Sequence, residues 1–208
     1  MGRWWFLAGV GVVLGSQVGC FPERDLPLID EVPIEAPDFV PCAEDLEDQR
    51  IACIIDGDTF DIVECQSGDE NRIRLLGVQA PEISTSPPEC YGPEAADWME
   101  RNLGQELVTL TFDADCSGAF DRTLAYVWAT GDLYEDLVRD REVEALTDYP
   151  FGEEEPAVMI NEVLLRLGLA RQYPEEIAGT LYYQGRLDAA AAAAEADRIG
   201  LYEACSSR

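Results

Sequence analysis

Neither histidine nor lysine occurs anywhere in the 208 residues, so all 14 basic side chains are arginines. Without histidine there is no Ser-His or Cys-His nucleophile pair and no imidazole-bound zinc. Without lysine there is no Schiff base and no Walker-type phosphate lysine. Methionine is scarce, and none of the seven cysteines stands in a C-x-x-C spacing, which argues against a thiolate zinc site. The chemistry left is that of carboxylates, guanidinium groups and thiols. Carboxylates suit hard oxygen-ligated cations such as Ca2+ or Mg2+, and the planar fork of arginine suits phosphate oxygens.

Acidic residues outnumber basic ones by 42 to 14, giving a net charge of −28. Such a surface repels nucleic acid at long range and lacks the basic patches on which polyanion binding normally rests. At about 0.15 M salt the Debye length is about 8 Å, so groups inside a cleft still dominate what happens there.

The N-terminal stretch Met1 to Gly19 has a single basic residue, Arg3, followed by an apolar run from Trp4 to Leu14. That run is short for a bilayer span and fits the core of a signal peptide. It ends in Gln17-Val18-Gly19-Cys20, the pattern of a bacterial lipoprotein processing site, with Cys20 as the lipidated residue. The expected location is therefore extracytoplasmic, anchored to a bacterial membrane through Cys20, with plain secretion as the alternative. Apart from Cys20 the cysteines form an even set, Cys42, Cys53, Cys65, Cys90, Cys116 and Cys205, compatible with three disulfides in an oxidising compartment. About fifteen pairings are open to six cysteines.

Residues 20–47 are rich in Pro, Asp and Glu without helical or strand period and read as a tether. The folded domain is expected over 48–205, with an acidic surface insertion at 132–156. Strand-like segments run at 51–55, 59–64, 72–78, 107–112 and 123–128. Arg74 alternates with Ile73 and Leu75, so it can face away from the core. Helical patterns follow Pro93 to a stop at Gly104, span Ile160 to Leu167, and run from about Leu181 through the alanine tract 189–194 to Arg198. The alanines permit close packing. The predicted fold is α+β: a five-stranded barrel of the oligonucleotide/oligosaccharide-binding type with about three helices.

Taken alone, Asp56-Gly57-Asp58-Thr59 is a hairpin turn signal, and any single arginine is a solvated surface group. The ordered set is far more specific: Ile55-Asp56-Gly57-Asp58-Thr59-Phe60, then Arg74 to Glu82 containing Gln79-Ala80-Pro81-Glu82, then Asp121-Arg122-Thr123. Tyr91-Gly92-Pro93-Glu94-Ala95, Met159-Ile160-Asn161-Glu162 and Gly168-Leu169-Ala170 continue the series. Together these segments resemble the staphylococcal nuclease (thermonuclease) family over about residues 50–202, apart from the insertion.

The resemblance implies a Ca2+-dependent phosphodiesterase acting on DNA and RNA, with Mg2+ or another divalent ion as the variant cofactor. By motif it makes Asp58 a metal ligand and Glu82 the general base or water-orienting carboxylate and a further candidate contact of the metal shell. Arg74 and Arg122 clamp the scissile phosphate and stabilise its developing charge. Gln79 stands where the family places a metal-binding Asp; its amide oxygen can ligate without bringing charge. The expected chain is a monomer with no obligate protein partner. The competing readings are a barrel that binds nucleotides or oligonucleotides without cleaving them, and a disulfide-stapled structural lipoprotein of the envelope.

Overall fold

The structure, a computed structural model, describes residues 45–206 except 67, 69–70, 119–121 and 175–180. Expectations that fall on Met1 to Gly19, on Cys20 and on residues 21–44 of the tether lie outside the described residues, as does Asp121; the end of the expected tether, Leu46 and Glu47, already belongs to the first strand.

Five strands build the barrel: β1 (Leu46–Ile54), β2 (Thr59–Ile62), β3 (Arg72–Leu75), β5 (Leu107–Thr111) and β6 (Thr123–Ala129). Neighbours run in the order β3-β2-β1-β5-β6, and β6 closes the cylinder by pairing in parallel with β3. All other pairs in the ring are antiparallel. The register of β1 shifts against each of its neighbours, which bends the strand so that it can serve both sides of the closed sheet. Two short strands stand apart, β4 (Val78–Gln79) and β8 (Arg171–Gln172), paired antiparallel as a ribbon beside the barrel. A last one, β7 (Val158–Met159), extends the sheet at β6.

Strand alternation decides what is buried and what is offered to a ligand. Phe60, Ile62, Ile73 and Leu75 fill the interior, while Thr59 and Asp61 lie opposite Arg74 and Arg72 on the other face of the β2–β3 pair. Around the barrel pack α1 (Gly92–Leu103), α4 (Ile160–Arg166), α5 (Gln184–Asp197) and the short α6 (Leu201–Ala204). Pro93 occupies the first turn of α1, and Ala95, Met99 and Leu103 are its buried stripe. In α5 the buried face is Leu187, Ala190, Ala191 and Ala194, so the alanines let this helix approach its neighbours closely.

Six helices occur among the described residues, against about three expected, and two of the additional ones form the segment read as a surface insertion. There α2 (Gly131–Leu137) and α3 (Arg141–Glu144) bury Leu133, Leu137 and Val143. Phe151 meets the edge of Trp128 at 5.8 Å. The i, i+4 pair Leu133 and Leu137 explains why the segment folds against the domain despite its charge.

Asn161, fully buried at the start of α4, ties the site-bearing strands together. Its Nδ2 donates to the carbonyls of Leu76 and Ala125 at 2.8 and 3.1 Å, and its Oδ1 accepts from the Val127 amide at 2.9 Å. A buried amide with these partners fixes the turn after β3 to β6. All five cysteines among the described residues are disulfide-bonded: Cys53 to Cys65, Cys90 to Cys205, and Cys116.

Candidate active site

A cavity of about 500 Å3 opens where the end of β3, the β4–β8 ribbon and the entrance of β6 converge. Arg74, Gln79, Glu82 and Arg122 all line it, so four of the five catalytic or metal-binding residues expected from the sequence border one cavity. Asp58 sits beneath them, 1% exposed, where the turn 55–58 passes into β2.

Close backbone approach makes this possible. A Cβ added to Gly57 would stand 2.6 Å from the Ala80 Cβ and 2.8 Å from that of Ala95, so only glycine lets the turn press against both the Gln79–Glu82 loop and α1. Asp56 stabilises the turn by accepting the Asp58 amide at 3.0 Å.

The Asp58 carboxylate is nearly saturated. Its Oδ1 accepts from the Thr59 hydroxyl at 2.9 Å and from Arg74 Nη1, and its Oδ2 accepts from the Ala80 amide at 2.6 Å. Arg74 in turn donates through Nη2 to Gln79 Oε1 at 2.9 Å and to the Val78 carbonyl at 3.2 Å. The expected phosphate clamp thus holds two of the three expected metal ligands, Asp58 and Gln79. Asp58 links β2 to the loop, Gln79 ends β4, and Arg74 bridges them.

Charges around the cavity feel one another. Burial pulls the Arg74 guanidinium below its ordinary range; Asp56 opposes this, Arg122 adds to it and Glu82 opposes it. Burial likewise pushes the Asp56 carboxyl above its ordinary range, with Arg74 the chief opposing influence and Arg122 a further one. An arginine remains protonated through such a shift, so the cavity presents two fixed cations with carboxylates beside them.

Sequence reading did not single out Asp56, Tyr173, Leu181, Asp113 or Asp115 as site residues. Asp56 was visible as the first acid of the Asp-Gly-Asp turn. Tyr173 follows Gly168-Leu169-Ala170 by a few residues, and its amide donates to the Gly77 carbonyl at 3.0 Å. Asp113 and Asp115 reach the cavity only because β5 ends beside the entrance of β6, a juxtaposition no local pattern announces.

The donors suit a hard cation in kind, since Asp58, Gln79 and Glu82 offer only oxygen. They do not form a preassembled carboxylate cage. Among the described residues, the one group of three potential ligands close enough to share an ion is Cys53, Asp61 and Cys65, and its two sulfurs are joined in a disulfide.

The sequence model of the family described as staphylococcal nuclease homologue matches residues 72–204, more than half of the chain. The chain belongs to the staphylococcal nuclease family. Arg74, Gln79, Glu82 and Arg122 fall inside the span matched to that family, and Asp58 precedes it. The chain is 34% identical over 89 residues to a thermonuclease of Staphylococcus hyicus, covering 42% of this chain and 52% of the relative. It is 33% identical over 90 residues to a thermonuclease of Staphylococcus intermedius, with the same coverage of 42% and 52%. An uncharacterised protein of Bacillus anthracis is 32% identical over 92 residues, covering 43% of this chain and 42% of that protein. The chain spans about half the length of the thermonucleases it matches.

Proposed function

We propose that this chain is an exported, Ca2+-dependent nuclease that hydrolyses phosphodiester bonds of DNA and RNA. The observation that carries the reading is the convergence of Arg74, Arg122, Glu82 and Gln79 on one cavity, with Asp58 directly beneath. Two arginines lining one cavity fit a phosphodiester, whose charge grows on its non-bridging oxygens as the attacking oxygen adds. Glu82 is the group assigned to orient a water molecule and take its proton. Asp58, Gln79 and Glu82 are the residues assigned to a divalent cation, which supplies Lewis-acid stabilisation of phosphate oxygens when bound. Arg74 fixes Asp58 and Gln79 in place and is itself held ready by them.

With one carboxylate replaced by Gln79, the cation is held weakly and activity needs Ca2+ well above what a site with an additional Asp would require. Cleavage of labelled single-stranded DNA and RNA, titrated with Ca2+ at fixed ionic strength and repeated with a chelator, tests the reading. Cleavage that rises with Ca2+ and stops with the chelator is expected. Absence of cleavage at millimolar Ca2+ would contradict it. A second reading, binding of nucleotides without cleavage, is favoured by the engagement of Asp58 and Gln79 with Arg74. Nucleotide binding without turnover would select it.

The reading extends to location. Residues 1–19 serve as a lipoprotein-type signal, Cys20 carries the lipid, the acidic stretch that follows as far as β1 forms the tether, and the catalytic domain runs from β1 to 205, placed outside the cytoplasm as a monomer. Disulfide bonding of every described cysteine supports an oxidising compartment. Intact-mass analysis of exported protein is expected to give a mature chain that begins at a lipidated Cys20. A different mature terminus would overturn the anchor and leave the nuclease assignment standing.

A further inference from the structure

Glu82 lies at the root of an exposed loop, and the residue that holds its backbone, Glu89, does not itself line the cavity. Residues 84–89 are all exposed, so burial does little to fix this segment. Instead the loop is closed by a reciprocal pair of hydrogen bonds. The Glu82 amide donates to Glu89 Oε2 at 3.0 Å, and the Glu89 amide donates to the Glu82 carbonyl at 2.8 Å. Glu89 is further held by its own carbonyl, which accepts the Gly92 amide at 3.1 Å at the start of α1. Gly92 packs so tightly that a Cβ there would stand 2.9 Å from the Pro81 carbonyl oxygen and 3.0 Å from that of Glu82. The next residue after Glu89, Cys90, is bonded to Cys205 just beyond α6.

The chain Cys205–Cys90–Glu89–Glu82 therefore runs from the C-terminal segment to the assigned base. A second cavity of about 240 Å3 separates these parts from the Gln79–Pro81 backbone, and Glu89, Cys90 and Cys205 line it. Among the described residues the Cys90–Cys205 bond is the covalent link between the loop and the C-terminal segment.

We propose that Glu89 is a positioning residue for Glu82, and that the Cys90–Cys205 disulfide fixes Glu89 for this task. The inference rests on the assignment of Glu82 in the preceding section. Loss of the Glu89 carboxylate frees the Glu82 amide and lets the base wander, and a displacement of about 1 Å at a reacting group costs on the order of a hundredfold. The bridge gives the exported chain a catalytic loop that is set only when the disulfide has formed.

Steady-state cleavage by Glu82→Ala, Glu89→Ala, Glu89→Gln and the double variant Cys90→Ser/Cys205→Ser tests this, with Cys53→Ser/Cys65→Ser as the control. Glu89→Ala is expected to lower kcat by about tenfold to a hundredfold with KM little changed. Glu89→Gln, which keeps an oxygen acceptor, is expected to restore most of that loss. Removing the Cys90–Cys205 bridge lowers kcat at temperatures where the fold is intact, and removing Cys53–Cys65 leaves it alone. Amide exchange at Glu82, followed by mass spectrometry, is expected to quicken in Glu89→Ala. Unchanged exchange at Glu82 overturns the inference whatever the activity. Cleavage abolished by Glu82→Ala yet untouched by Glu89→Ala overturns it alone, and so does a Glu89→Gln variant no better than Glu89→Ala. No cleavage by the unaltered chain overturns the reading on which it rests.

Discussion

Arg74 and Arg186 are both arginines set among carboxylates, and what lies beside them differs. Arg186, on α5, grips Glu162 at 2.5 Å and also Asp148 of the 132–156 segment, with its guanidinium over the rings of Trp128 and Tyr183 at 5.7 Å. Acceptors and aromatic faces surround it, and it lines neither described cavity. Arg74 also holds a carboxylate and an amide, yet one side of it faces about 500 Å3 of open space shared with Arg122 and Glu82. Exposure does not separate the two, since the Arg186 side chain is 27% exposed and that of Arg74 11%; what differs is that Arg74 borders the cavity proposed to take a phosphate and Arg186 ties segments together.

The comparison breaks most sharply on removal of the arginines. Arg122→Ala is expected to lower turnover by about 10²–10³ or more while the chain keeps its fold, the effect of losing a preorganised donor. Arg74→Ala is expected to lose at least as much turnover. It also leaves the buried Asp58 without its cation, so a lower melting temperature accompanies the kinetic loss. Replacement of either arginine by Lys does not restore the rate, because a point charge lacks the fork. Single-turnover kinetics and thermal melts of the same preparations separate the two effects.

Arg186→Ala is expected to show the reverse pattern. Glu162, whose carboxyl is already pushed up by burial and is held down chiefly by Arg186, loses its partner, and the 132–156 segment loses an anchor. A stability loss of about 2 kcal/mol or more follows, read from urea unfolding, with turnover preserved below the transition. Equal loss of activity in Arg186→Ala and Arg122→Ala at low temperature would erase the distinction.

Gln79→Asp sharpens the open side of the comparison. It adds a negative charge beside Arg74 and Asp58, and the Ca2+ concentration needed for half-maximal cleavage is expected to fall. Calcium titrations of both proteins at fixed ionic strength check this.

The smallest effect concerns Asp113, which also lines the cavity. Burial alone would raise its pKa, but the Tyr182 amide, the Tyr126 hydroxyl and the Ala114 amide outweigh it and hold the carboxyl below its ordinary 3.8. A carboxyl lowered in the folded state adds stability above its unfolded pKa and loses it as the pH falls through the folded value. The melting temperature of Asp113→Asn should therefore lie below that of the unaltered chain near neutrality, with the gap closing from about pH 4 downward. A gap independent of pH would show that Asp113 acts without its charge.

The barrel was legible in the sequence because each strand carries its own signal. The alternation of Arg72 and Arg74 with Ile73 and Leu75 already states which side meets solvent or ligand, and the structure keeps that register. The site was legible as an ordered set of motifs, and Arg74, Gln79, Glu82 and Arg122 do border one cavity. What stayed hidden depends on contacts between distant parts. The charge of the 132–156 segment masked the apolar pair Leu133 and Leu137 that buries it, and nothing local to Arg186 distinguishes a rivet from a surface arginine. Direct pairing of Arg74 with Asp58 was equally invisible, since the register of β2 against β3 is needed to see it.

The most direct test of the account is the single-turnover rate at which Arg122→Ala cleaves a labelled oligonucleotide at saturating Ca2+, set beside the unaltered chain. The account predicts a rate lower by about 10²–10³ at a temperature where melts show both proteins folded. Equal rates in two folded proteins would contradict it and move the chemistry out of this cavity.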